Sequence, residues 1–276
     1  STGNAGAALA GMAAAVGQKA VIFAPKSAPK AKIAQLLVFG ARVILVDGSY
    51  DDAVELAVQA SDEFGWYCRN TGYNPFTAEG KKTASFEIWE QVLLQEKLDK
   101  PLSIFVSVGD GNIISGIHKG FKDLAEFGWL EQMPRIFGVQ SEGSSAIANA
   151  FDAKNEDIRP VSAKTLADSI SVDMPSDGLR ALRAATETNG AYIRVNDESI
   201  LEGIASLGQS GIFAEPAAAT ALSGLVKARE LGLIASSDPT LVMVTGSGLK
   251  DVQSASRAVS AAPIISPTIE ALKEVL

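Results

Sequence analysis

At 276 residues, 47% hydrophobic and 20% charged, the chain can bury a large core in one large domain or two unequal ones, which excludes general disorder. A net charge of −8, with no basic run longer than Lys81-Lys82, excludes the electrostatic footprint of a nucleic-acid surface and points to a small-molecule partner. The single cysteine, Cys68, cannot close an internal disulfide and fits a reducing compartment, with the cytoplasm as the default.

The chain opens on Ser1-Thr2-Gly3-Asn4-Ala5-Gly6, which runs into an Ala- and Gly-rich stretch ending at Gly17. That stretch is too short and too weakly apolar to cross a bilayer, so it reads as a tightly packed helix and no membrane association is expected. The opening carries no charged n-region or leucine-rich core, hence no signal peptide. The lack of an initiating Met implies a start inside a longer protein, which a targeting segment could precede.

Short β-branched runs then alternate with helical patterns. Strands are expected at 20–24, 42–46, 103–108, 135–140, 192–195 and 241–244, forming a mostly parallel sheet. Helices at 31–39, 51–64 and 216–231 stop at Gly40, Gly65 and Gly232, the residue type that commonly finishes a helix C-terminus. The alternation is α/β throughout. Turn-forming residues Asn70-Thr-Gly-Tyr-Asn-Pro75 mark a crossing between a domain of residues 1–75 and one of 76–276, followed by an amphipathic segment from Glu79 to Lys97. The aperiodic stretch 153–175 reads as a long active-site or surface loop.

Four glycine-bearing turns carry the chemistry, each placed where unpaired backbone N–H groups can bind anions. Ser1-Thr2-Gly3-Asn4 at a helix start suits a carboxylate, although a plain N-cap accounts for it equally well. Val108-Gly109-Asp110-Gly111-Asn112 follows a buried strand and precedes a helix, the geometry of a phosphate cradle. An ordinary strand-to-helix turn is the competing account, whereas a dinucleotide fingerprint fails because position 114 is Ile. Thr245-Gly246-Ser247-Gly248-Leu249-Lys250-Asp251 offers a hydroxyl and two glycines that let backbone approach a flat ligand, or is a structural turn. Asn74-Pro75 with Glu79-Gly80-Lys81-Lys82-Thr83 reads most simply as a solvated helix start. His118, the single histidine, is expected in a surface or packing role, and Cys68 has no partners for a metal site.

In this order, the turns resemble the pyridoxal-phosphate (PLP) enzymes of fold type II, the group containing threonine synthase, threonine dehydratase, cysteine synthase and the tryptophan synthase β-subunit. Ser-Thr-Gly-Asn resembles the family's Ser-x-Gly-Asn loop, Val-Gly-Asp-Gly-Asn its phosphate loop, and Asn-Pro with Glu-Gly-Lys-Lys-Thr its domain-crossing segment. Glu215-Pro216-Ala217-Ala218-Ala219 and Thr-Gly-Ser-Gly-Leu-Lys-Asp look most like threonine synthases. The phosphate loop, in contrast, is closer in length to that of the dehydratases.

The resemblance implies an α/β, two-domain fold, each domain a mostly parallel sheet flanked by helices, with 1–75 part of the small domain and 76–276 part of the large PLP-binding one. It implies PLP as cofactor, an amino-acid substrate and a homodimer. Asn4 would face the cofactor's 3-oxygen, Gly109, Asp110, Gly111 and Asn112 would hold its phosphate, and Thr245 would face the pyridine nitrogen, favouring elimination and replacement over transamination. Ser1, Thr2 and Gly3 would bind the substrate carboxylate. Glu215 would lie near ring or substrate, or serve only as a helix-start Glu beside Pro216.

The implied reaction is conversion of O-phosphohomoserine and water to threonine and phosphate. A related serine/threonine dehydratase, a cysteate-synthase-like enzyme and a non-catalytic fragment are the alternatives. The family's Schiff-base lysine lies upstream of the Ser-x-Gly-Asn loop, so it is expected before residue 1. Lys19, Lys26, Lys81, Lys82 and Lys250 lie in polar or turn contexts unsuited to replace it.

Overall fold

A computed structural model describes residues 3–276, apart from the side chain of Asp51. It is α/β. The first part runs α1 (Asn4–Ala15), β1 (Val21–Pro25), α2 (Lys30–Val38), β2 (Arg42–Val46) and α3 (Tyr50–Phe64). Strands β1 and β2 pair in parallel in a two-stranded sheet. Helix α1 packs through Ala7, Ala10 and Ala13 against Ile22 and Leu36, small side chains that allow close approach. Helix α3 starts with a capping box, Ser49 accepting from the Asp52 N–H while Asp52 accepts from the Ser49 N–H. It ends at Gly65 with φ of 64°, as the sequence predicts.

The second part contains α4 (Phe76–Lys81), α5 (Thr83–Ile88), a π-helical turn (Trp89–Leu93), β3 (Ser103–Ser107), α6 (Asn112–Glu126), β4 (Arg135–Ser141) and α7 (Ala146–Asp152). It continues with α8 (Gly178–Thr186), β5 (Tyr192–Val195), α9 (Asp197–Gln209), α10 (Pro216–Glu230), β6 (Thr240–Val242), α11 (Val252–Arg257) and α12 (Ile269–Lys273). Its four-stranded sheet has the order β5-β4-β3-β6, every pair parallel. Strand β3 is buried along its whole length, which is why it reads as a continuous apolar run rather than an alternation. One face packs on α6 through Ile114, Ile117, Phe121 and Leu124, the other on α10 through Ala217, Ala221 and Ala228.

Two expectations need correction. The segment from Glu79 to Lys97 is not one regular helix: it divides into α4, α5 and the π-helical turn. The cause is close packing against α6, where Gly116 and Gly120 have no side chain. A Cβ on Gly116 would lie 2.7 Å from the Lys81 Cβ, and one on Gly120 would lie 2.6 Å from the Lys82 carbonyl oxygen. Strand β6 ends at Val242, not Val244, because it lies on the sheet edge and the chain then bends to a bridge between Ala214 and Ser247. Among the described residues no helix is long and apolar enough to cross a membrane.

Candidate active site

In a parallel sheet, ligands gather at the carboxyl ends of the strands, where loops lead into helix N-termini. Strands β3 and β6 are parallel neighbours, with Phe105 opposite Val242. The turns that follow them, 108–112 and 245–248, therefore leave from the same edge of the sheet.

The first of these turns leads into α6, whose N-cap Gly111 has φ of 91° and offers no capping side chain. The first-turn N–H groups of α6 have no intrahelical acceptor, which is the arrangement that binds phosphate. Gly109 and Gly111 cannot carry a side chain: a Cβ would lie 2.8 Å from the Ile170 Cα in one case and 2.6 Å from the Ala181 Cβ in the other. Asp110 turns away from the helix axis to accept from the Ser176 N–H and hydroxyl at 3.1 and 2.9 Å. Asn112, only 3% exposed, donates to Asp177 at 3.1 Å and accepts from Lys81 at 2.6 Å.

The second turn closes on Glu215, the N-cap of α10. The Glu215 N–H donates to the Gly246 carbonyl at 3.1 Å, and a Cβ on Gly246 would collide with the Glu215 carboxylate. Glu215 is 4% exposed. Burial pushes its carboxyl above the usual range, against the opposing donation from Asn4 and the charges of Lys250 and Lys32. Asn4, first residue of α1, donates to Glu215 Oε1 at 2.6 Å and accepts from the Lys250 ammonium. Helix α1, like α6, has no side-chain cap. Thr245 is half-buried beside this cluster.

The cluster and the phosphate-type loop are joined by the segment 168–170. Gly3 lies against Ser169, and Gly109 against Ile170. A small cleft lined by Lys32, Asp168, Ser169, Glu215, Pro216 and Asp251 opens there. Thus Gly3, Asn4, Glu215 and the turn after β6 meet directly, and Gly109 to Asn112 adjoin them through the 168–170 segment. Ser1 and Thr2 lie outside the described residues.

Sequence reasoning treated Lys81 as a lysine in a polar context. It is half-buried, and desolvation with the nearby Arg69 charge brings it down to about 8, opposed by Asp177 and Asp110. Asp177 and the contact of Lys81 with Asn112 leave no local trace in the sequence, because they depend on contacts across 65 and 31 residues of chain. His118 is buried, in line with a packing role, with Glu187 3.4 Å away.

A profile of the family described as "Pyridoxal-phosphate dependent enzyme" matches residues 1–246. This chain belongs to that family. Its relatives include the threonine synthases of Methanocaldococcus jannaschii, 37% identical over all of this chain and 68% of the relative, and of Methanosarcina acetivorans, 33% identical over the same shares. Among solved structures, the processed form of threonine deaminase isoform 2 from Solanum lycopersicum superposes with a TM-score of 0.76 at 20% identity, covering 95% of this chain and 72% of that one. Diaminopropionate ammonia lyase from Escherichia coli gives 0.75 at 21% identity, over 94% and 68%. These likenesses bear out the fold type II architecture.

As a pyridoxal-phosphate-dependent enzyme, the chain takes pyridoxal 5′-phosphate as cofactor. The residues present fit it: the uncapped N-terminus of α6 suits its phosphate, and the half-buried Thr245 offers a neutral hydroxyl to its ring.

Proposed function

We propose that the protein to which this chain belongs is a threonine synthase, converting O-phosphohomoserine and water to threonine and phosphate. What carries the reading is 37% identity to a threonine synthase along the whole chain. The Glu215-Pro-Ala and Thr245-Gly-x-Gly-Leu-Lys segments meeting at one place support it.

When bound, the cofactor supplies an electron sink for carbanion chemistry at the substrate. In this reading the first-turn amides of α6, with Gly109, Asp110, Gly111 and Asn112, hold its phosphate. Asn4 would face the ring's 3-oxygen and Thr245 its nitrogen, where a neutral hydroxyl would leave that nitrogen largely unprotonated. Ser1, Thr2 and Gly3 receive the substrate carboxylate at the start of α1. Glu215 is a carboxyl disposed by burial to hold a proton, and the donation from Asn4 holds it in place. Residues 1–75 are assigned to the smaller domain, and the assembly to a homodimer.

Incubating the full-length protein with O-phosphohomoserine tests the reading. Threonine and inorganic phosphate released in equal amounts support it. Keto-acid release from threonine or serine, with no turnover of O-phosphohomoserine, makes the enzyme a dehydratase instead.

A further inference from the structure

We infer that Lys81 is a positioning residue for the cofactor phosphate, fixing Asn112 at the first turn of α6 and supplying positive charge beside the Asp110 and Asp177 carboxylates. The inference rests on family membership and is independent of which amino acid is the substrate.

Two carboxylates border the N-terminus of α6. Asp110 is held by Ser176, and Asp177 lies between Asn112 and Arg180. Asp177 is offset by Arg180, but a phosphate dianion arriving at the helix amides still meets the Asp110 charge, so the helix dipole alone is a weaker attractant here than in a neutral glycine loop. Lys81 is delivered to that point by Gly116, which has no Cβ and so lets α4 lie directly on α6. Its amine donates to Asn112 Oδ1 at 2.6 Å and to the Thr77 carbonyl at 3.4 Å. An ammonium has three N–H donors, and the third has no partner among the described residues. Because Asn112 also donates to Asp177, its side-chain amide is held from both ends at the first turn of α6. Half-burial and Arg69 disfavour the Lys81 charge more than Asp177 and Asp110 favour it, and an incoming anion adds to that compensation.

The test compares pyridoxine 5′-phosphate with pyridoxine, neither of which condenses with an amine, by calorimetric titration of the full chain. Lys81→Gln, which keeps a donor for Asn112 and removes the charge, weakens pyridoxine 5′-phosphate by about tenfold and leaves pyridoxine binding unchanged. Lys81→Arg restores binding. Equal weakening of both ligands, no weakening of either, or an Arg variant no better than Gln overturns the inference. Should the variants not fold, the unmodified chain still decides: inorganic phosphate protects Lys81 from acetylation by acetic anhydride, read by peptide mass spectrometry. Absence of protection overturns the inference as well.

Discussion

Asn4 donates to Glu215 at 2.6 Å across 211 residues of sequence, tying the start of α1 to the start of α10 and, through the Glu215 N–H, to the turn at Gly246. Two helix N-termini and one strand-end turn thus share a single buried carboxyl. That relationship makes Glu215 the most informative side chain of the site.

Burial raises the Glu215 carboxyl above its ordinary value. A group whose pKa is raised by folding contributes its full stability below the unfolded value and loses it as pH rises through the folded one. Glu215→Gln keeps an acceptor for Asn4 and removes the buried charge. The melting temperature of the variant minus that of the wild type therefore becomes more positive as pH rises above the ordinary carboxylate range, measured by calorimetry. A pH-independent difference contradicts the buried carboxylate.

Close packing of α4 and α5 on α6 predicts opposite outcomes for two helical glycines. Gly120→Ala drives a methyl to within 2.6 Å of the Lys82 carbonyl oxygen and 2.8 Å of Ser85, so urea titration registers a loss of about 1–3 kcal/mol. Gly208→Ala in α9 meets nothing within 4 Å and gains about 0.5–1 kcal/mol from reduced backbone entropy in the unfolded chain.

The hydroxyl of Ser103, at the start of β3, is buried without a hydrogen-bond partner among the described residues. An unmade buried hydrogen bond costs about 1–3 kcal/mol. Ser103→Ala relieves part of that cost and raises the urea midpoint, while binding of pyridoxine 5′-phosphate at the far end of the strand is untouched.

Lys81, brought down to about 8 by burial and Arg69, acetylates with a midpoint near about 8, because only the neutral amine is nucleophilic. Competitive labelling across pH measures it. Lys82, its neighbour, is held charged by Glu79 and Asp123 and stays protected well above that pH.

The strands were legible because parallel, doubly covered strands leave a direct sequence trace: Ile104, Phe105 and Val106 are apolar for the same reason that they are fully buried. The glycine turns were legible because each sits at a fixed place, after a strand or before a helix. The break of the 79–97 segment was not, since it originates in Gly116 and Gly120 on another helix. Lys81 was misjudged for a related reason: its local sequence, Glu-Gly-Lys-Lys-Thr, is polar, and what buries it is the distant loop at Asn112 and Asp177. The roles of Asp177 and Lys250 likewise exist only once α8 and the last turn have packed.

A crystal structure of the chain with pyridoxine 5′-phosphate tests most directly whether the turns at Asn4, Gly111 and Thr245 surround one phosphorylated ring. The phosphate is expected on the backbone N–H groups at the start of α6, with the ring between Asn4 and Thr245 and Glu215 beside it. Phosphate density elsewhere, or a ring remote from Asn4 and Thr245, contradicts it.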